Sequence, residues 1–165
     1  MNRRLWIAVV VAILAAVAYT VFFRQSDEGR IRRQLEALAA AVRVEEGPGN
    51  PVLRALHVKD AFSKIFLPRV EIDVAELAHE PMRREELVGA TVALESRFST
   101  AALDFTGVRV EIDEPTASAR VTGTAAGLGV ELGGRTRVEK RDFTMRFEKV
   151  SGVWRIGAVS ALPPP

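Results

Sequence analysis

Residues 5–23 read LWIAVVVAILAAVAYTVFF, a run with no charge, no proline and no glycine. As a helix rising ~1.5 Å per residue it covers roughly the 30 Å of a bilayer's hydrocarbon core. Arg3, Arg4 and Arg24 bracket the run. Trp6 and Tyr19 stand near its two ends, where amphipathic rings favour the lipid–water interface. Whatever follows is therefore either tethered to a membrane by this segment or exported through one. A cleaved signal peptide has Arg3-Arg4 as its basic region and Ala16-Val17-Ala18 as its small-x-small site. Against cleavage, the apolar run continues from Tyr19 to Phe23, so a retained anchor over residues 1–25 is expected. Orientation pulls two ways. Arg24, Arg30, Arg32 and Arg33 outnumber Arg3 and Arg4, which by basic count holds the domain inside. A four-residue amino tail is instead the geometry that translocates the carboxyl side. The expectation is a single-pass membrane protein with a periplasmic or otherwise extracytoplasmic domain, and with the bilayer as partner through residues 5–23.

Residues 26–162 are expected to form one domain, followed by a proline tail at 163–165. Apolar residues at 48% and charged residues at 27% are a globular mixture that excludes a disordered chain. A net charge of +2 supplies no basic field, so no nucleic-acid partner is expected. With no cysteine, disulfides, thiol nucleophiles and cysteine-ligated metals are excluded.

The domain opens with helical punctuation. Ser26-Asp27 offers an N-cap, and Ile31, Leu35, Leu38 and Val42 recur at three- and four-residue steps, predicting a helix over 27–45. Gly47-Pro48-Gly49 ends it. Asn50 and Pro51 then start a second helix, with Leu53, Ala55, Leu56 and Phe62 as its expected buried side. Phe66, Val70, Ile72 and Val74 read as a short strand interrupted at Pro68, a residue tolerated at an edge or a strand start. A loop over 78–84 and a third helix over 82–103 follow, with Leu87, Ala90, Leu94, Phe98 and Ala101 on one stripe. From Phe105 the period is two, through turns at Glu114-Pro115-Thr116 and Ser151-Gly152, with residues 127–134 as a glycine-rich connection. Val138 lies on one parity and Phe143, Met145 and Phe147 on the other, which predicts a β-bulge between Glu139 and Asp142 and a strongly curved sheet.

Two helices, a short strand, a third helix and four consecutive strands is the element order of the nuclear transport factor 2-like superfamily. The closing segment RDFTMRFEKVSGVWRIGAVSA resembles the final hairpin of its SnoaL-like members at Phe143, Phe147, Glu148, Gly152, Trp154, Arg155 and Ile156. The resemblance implies an α+β domain in which a curved antiparallel sheet packs on three helices as a cone. It also implies a ligand-binding lining drawn from His57, Phe98, Val110, Ile112, Val121, Asp142, Phe143, Met145, Phe147, Trp154 and Ile156, with Leu35 and Leu94 opposite. The same residues also read as plain core.

The resemblance brings enzymes with it, namely ketosteroid isomerases and scytalone dehydratase-like lyases. An isomerase of that kind pairs a carboxylate base with a tyrosine donor. The one tyrosine here is Tyr19, inside the apolar run, which leaves Asp142 without a partner. Dehydratases use histidines, and this chain has His57 and His79 at no metal-ligand spacing. No serine elbow, phosphate loop or dinucleotide fingerprint occurs, no catalytic residue is assigned and no cofactor or metal is expected. Arg135, Arg137, Lys140, Arg141, Arg146, Lys149 and Arg155, set against Glu139, Asp142 and Glu148, read as a solvated sheet face, with anionic lipid headgroups, an acidic protein partner or a second copy as what it could meet. The functional expectation is a binding or assembly module in a membrane-associated complex. The alternative is a small apolar ligand-binding protein, or a lyase or isomerase working in the cone.

Overall fold

The computed structural model describes residues 26–45, 50–74 and 80–162. The expected anchor, His79 and the proline tail lie outside the described residues. No helix among the described residues is long and apolar enough to cross a membrane.

Helix α1 (Asp27–Ala41) starts where its cap predicts: Ser26 Oγ accepts from the Gly29 N–H at 3.1 Å. Asp27 and Glu28 stand in its first turn, where the helix dipole favours negative charge. Ile31, Leu35 and Leu38 form the buried stripe. The helix stops at Ala41 and not near 45, because Val44 leaves it to form an antiparallel bridge with Ala101, with N–H···O distances of 2.9 and 3.0 Å. Helix α2 (Pro51–Ile65) has Asn50 as its cap and Pro51 in its first turn. Its buried side is Val58, Phe62 and Ile65. Leu53 and Leu56, expected inside, are 64% and 55% exposed, and with Val52 they make an outward apolar ridge.

Strand β1 (Phe66–Val74) is followed by β2 (Pro81–Arg83), a three-residue strand where a loop was expected, and then by helix α3 (Arg84–Glu95). Glu86 fastens the start of α3. Its carboxylate accepts from the Arg83 backbone N–H at 2.8 Å and from the Arg83 guanidinium, which holds its pKa below the ordinary range. The third helix is much shorter than 82–103. Leu94, Phe98 and Ala101 satisfy a helical period, but from Phe98 onward the backbone finds a full ladder of partners in the sheet, and tertiary pairing overrides local spacing.

Strands β3 (Phe98–Asp113), β4 (Ser118–Glu131), β5 (Thr136–Val150) and β6 (Val153–Ala161) complete a six-stranded sheet of order β2-β1-β6-β5-β4-β3. The sheet is mixed and not purely antiparallel, since β1 runs parallel to β6. Residues 127–131, expected in a connection, belong to β4, and the turn comes only after Glu131. The β5–β6 turn is Ser151-Gly152 as expected, with φ of 51° and 79°, the left-handed pair a two-residue hairpin uses.

The expected bulge at 139–142 is absent, because β4 and β5 pair without interruption from Ser118↔Glu148 to Val130↔Thr136. The parity conflict is resolved by exposure: Val138 is 66% exposed on the opposite face from Phe143, Met145 and Phe147. Curvature arises at other irregularities, between Thr106 and Arg109 in β3 and between Arg146 and Phe147 against β6. Gly107 carries the first of these at φ 61°, a conformation that residues with a Cβ rarely adopt.

The concave face of the sheet and the helices share one core. Phe147, Ile156 and Val121 meet Ile31, Val58, Phe62 and Ile65, all at most 2% exposed. Burying each such side chain stabilises the fold by roughly 1.5–3 kcal/mol. A polar tie closes one end, where Lys149 Nζ lies 2.7 Å from Asp27 Oδ2 and 5.5 Å from the centre of the Trp154 ring. That bond from Lys149, assisted by the nearby Trp154 indole dipole, lowers the Asp27 pKa. The indole N–H itself is buried outside hydrogen-bond geometry. A carboxyl depressed on folding contributes stability above its unfolded pKa and loses it as pH falls through the folded value. Asp27→Asn is thus expected to lower stability at pH 7 by about 1 kcal/mol and to flatten the loss of Tm on acidification below about pH 4. Thermal melts of both proteins across that range check it; parallel acid profiles would refute the tie.

Candidate functional site

Helix α3 is set off from the start of β3, and the space between them is a groove of ≈ 250 Å³. Leu87, Ala90 and Leu94 line it from α3, Phe98 and residues 101–103 from β3, and Val42 from the end of α1. The lining is apolar for local reasons. Thr91 turns its hydroxyl back to the Leu87 carbonyl at 2.9 Å, which leaves only its methyl for the groove. The Phe98 ring lies flat over β4: a Cβ at Gly129 would stand 2.7 Å from Phe98 Cδ1. Glycine at that position is what lets the aromatic wall close on the strand.

The groove's one ionisable lining residue is Glu95, the last residue of α3, only 9% exposed. Both of its oxygens are held by Arg54 of α2, Oε2 by Nε at 2.8 Å and Oε1 by Nη2 at 2.7 Å. The same Nη2 donates to the Ala41 carbonyl at 2.7 Å, where the negative end of the α1 dipole favours a cation. One guanidinium therefore gathers the ends of α1 and α3 onto α2. Bidentate geometry of this kind is the strong form of the pair.

On the far side of Glu95 is a second cavity of ≈ 530 Å³, within the range of small-molecule sites. Its polar groups are Arg43 and Glu45 after α1, Arg54 and His57 on α2, and Glu95 and Ser96 at the end of α3, set among the apolar Ala40, Val44, Pro51 and Val92. Glu95 is common to both spaces.

The residues expected from the cone divide into four groups. His57 lines the polar cavity and Phe98 the apolar groove. Val121, Phe143, Met145, Phe147, Trp154 and Ile156 are buried core, at most 5% exposed. Val110 is half-buried, and Ile112 is 37% exposed on the edge strand. Asp142 is exposed on the face opposite Phe143, its Oδ1 accepting from the Thr124 hydroxyl at 2.8 Å. Arg54, Glu95 and Arg43 had gone unnoticed. A signal for Glu95 was present: Leu87, Thr91 and Glu95 recur every four residues, which puts a carboxylate on the buried stripe.

No family model matches this sequence, and no curated protein matches it. Solved structures do resemble it in fold. A putative scytalone dehydratase from Novosphingobium aromaticivorans aligns with a TM-score of 0.66 at 11% identity, covering 84% of this chain and 85% of its own. A hexachlorocyclohexane dehydrochlorinase aligns with a TM-score of 0.65 at 13% identity, covering 86% and 87%. A nuclear transport factor 2-like superfamily protein from Salmonella enterica gives 0.62 at 13%, covering 85% and 94%. At such identities the likeness is one of fold, and the fold is the nuclear transport factor 2-like cone.

Proposed function

We propose that this chain is a membrane-tethered binder of a small, mainly apolar molecule, held in the groove between α3 and β3. The observation that carries the reading is the groove itself, an apolar slot walled by Leu87, Leu94 and Phe98. Neighbours of this fold include a dehydratase and a dehydrochlorinase, proteins that accommodate small molecules. Binding is favoured over turnover because Glu95, the groove's one ionisable lining residue, already has both oxygens engaged by Arg54. The tether is supported by residues 5–23 and their arginine flanks. An assembly role, the second reading, is favoured by the exposed ridge of Val52, Leu53 and Leu56.

The test uses the full chain in detergent and 4-phenylbutan-1-ol as probe. At about ten times its Kd the alcohol should raise Tm by roughly 5 °C. Ala90→Trp, which fills the groove from the half-buried face of α3, should abolish that shift while keeping the cooperative melt. Equal behaviour of the two proteins would remove the groove reading. Recovery of the chain in an alkaline carbonate wash of membranes would remove the tether.

A further inference from the structure

We propose that the polar cavity beside the groove is a carboxylate-binding subsite, so that the ligand is an amphipathic acid with an apolar body. This rests on the groove reading and names the chemical class it takes. Three features carry it.

Glu95 lines both spaces, so an acid with its body against Leu94 and Phe98 would place its head group past that residue, on the side of Arg54 and His57. Among the described residues, unpaired side-chain donors also exceed unpaired acceptors on that lining. The charge of Glu95 is paired by Arg54, yet Arg54 keeps Nη1, with two N–H groups, bound to nothing among the described residues. Arg43 and His57 likewise have no side-chain partner among the described residues. Among the described lining residues the side-chain acceptors left are Glu45, an exposed carboxylate, and the Ser96 hydroxyl, whose proton goes to the Ala93 carbonyl. Finally, the start of α2 faces the same space through Pro51, with Arg54 and His57 following at three-residue steps, so the positive end of that helix dipole adds to the field. A planar carboxylate answers a guanidinium fork by two parallel hydrogen bonds, which an alcohol cannot do.

The probes are 4-phenylbutanoate and 4-phenylbutan-1-ol, identical but for the head group. Their dissociation constants are measured by calorimetry on the full chain in detergent, above pH 6 so that the acid is ionised. The wild-type protein should bind the butanoate at least tenfold more tightly than the alcohol, with the advantage shrinking as salt rises. Arg43→Gln and His57→Gln should each bring the two affinities towards equality, and Arg43→Lys, which keeps the charge but loses the fork, should retain only part of the preference. Arg135→Gln, which removes an exposed charge in the β4–β5 turn, should leave the tenfold ratio in place. Equal binding of acid and alcohol by the wild-type protein overturns the subsite while the groove stands. A preference that survives Arg43→Gln and His57→Gln together overturns it as well. Acid binding that Ala90→Trp does not weaken keeps the subsite and removes the groove, and binding of neither probe removes both.

Discussion

Phe147→Ala is expected to lower unfolding free energy by about 3–5 kcal/mol, the largest effect of any single substitution considered for this fold. Phe147 is 0% exposed, at the centre of the concave face, in register with Ala119 on β4 and Ile156 on β6. Its neighbours belong to the helices as well as the sheet, so no single element can shift to fill the void. For a domain of this size the loss corresponds to a Tm fall on the order of 10–15 °C. Ile112→Ala is the control. Ile112 shares the row of Ala119 and Phe147 but lies on the edge strand at 37% exposure, and its truncation should cost less than about 1 kcal/mol. Chemical denaturation of both variants separates a packed cone from a hollow one. A loss below about 2 kcal/mol for Phe147→Ala would mean that the interior already has slack.

The second large effect belongs to the Arg54–Glu95 pair. Arg54→Met strands a carboxylate that is 9% exposed and frees the Ala41 carbonyl, and a loss of about 3 kcal/mol is expected. The figure sits at the low end for buried pairs because the Arg54 side chain is 27% exposed and keeps some contact with water. Glu95→Leu should also destabilise, by leaving the guanidinium unpaired. The double variant should recover to within about 1–2 kcal/mol of the parent, since burying two apolar groups is easier than burying one charge. Strictly additive losses would show that the two side chains do not act as a unit.

The element order, apart from the short β2, and the caps were open to reading from residues alone. Ser26, Asn50-Pro51 and Ser151-Gly152 act through local chemistry, and each occurs where that chemistry predicts. The alternation of Phe143, Met145 and Phe147 likewise identified the inner face. What could not be read was decided by partners far away in sequence. Phe98 and Ala101 fit a helical stripe equally well until β4 supplies a ladder. Val138 asks for a bulge only if it must be buried, and sequence parity cannot say that it is exposed. The parallel β1–β6 pairing joins segments far apart in the sequence, Phe66–Val74 and Val153–Ala161. The candidate site was least legible for the same reason. Arg54 and Glu95 are forty-one positions apart, and nothing local to either announces the other.

The position of β6 has a consequence for how the protein is made. This last strand lies between β1 and β5, and it supplies Trp154 and Ile156 to the core. On a growing chain, β1 has no neighbour on that side until residues 153–161 have emerged, and the helices have an incomplete surface to pack on. Domains usually fold from the amino end as synthesis proceeds. Here β1 waits for residues 153–161 before its open side is covered, so closure of the sheet comes after every other strand of the domain has been synthesised.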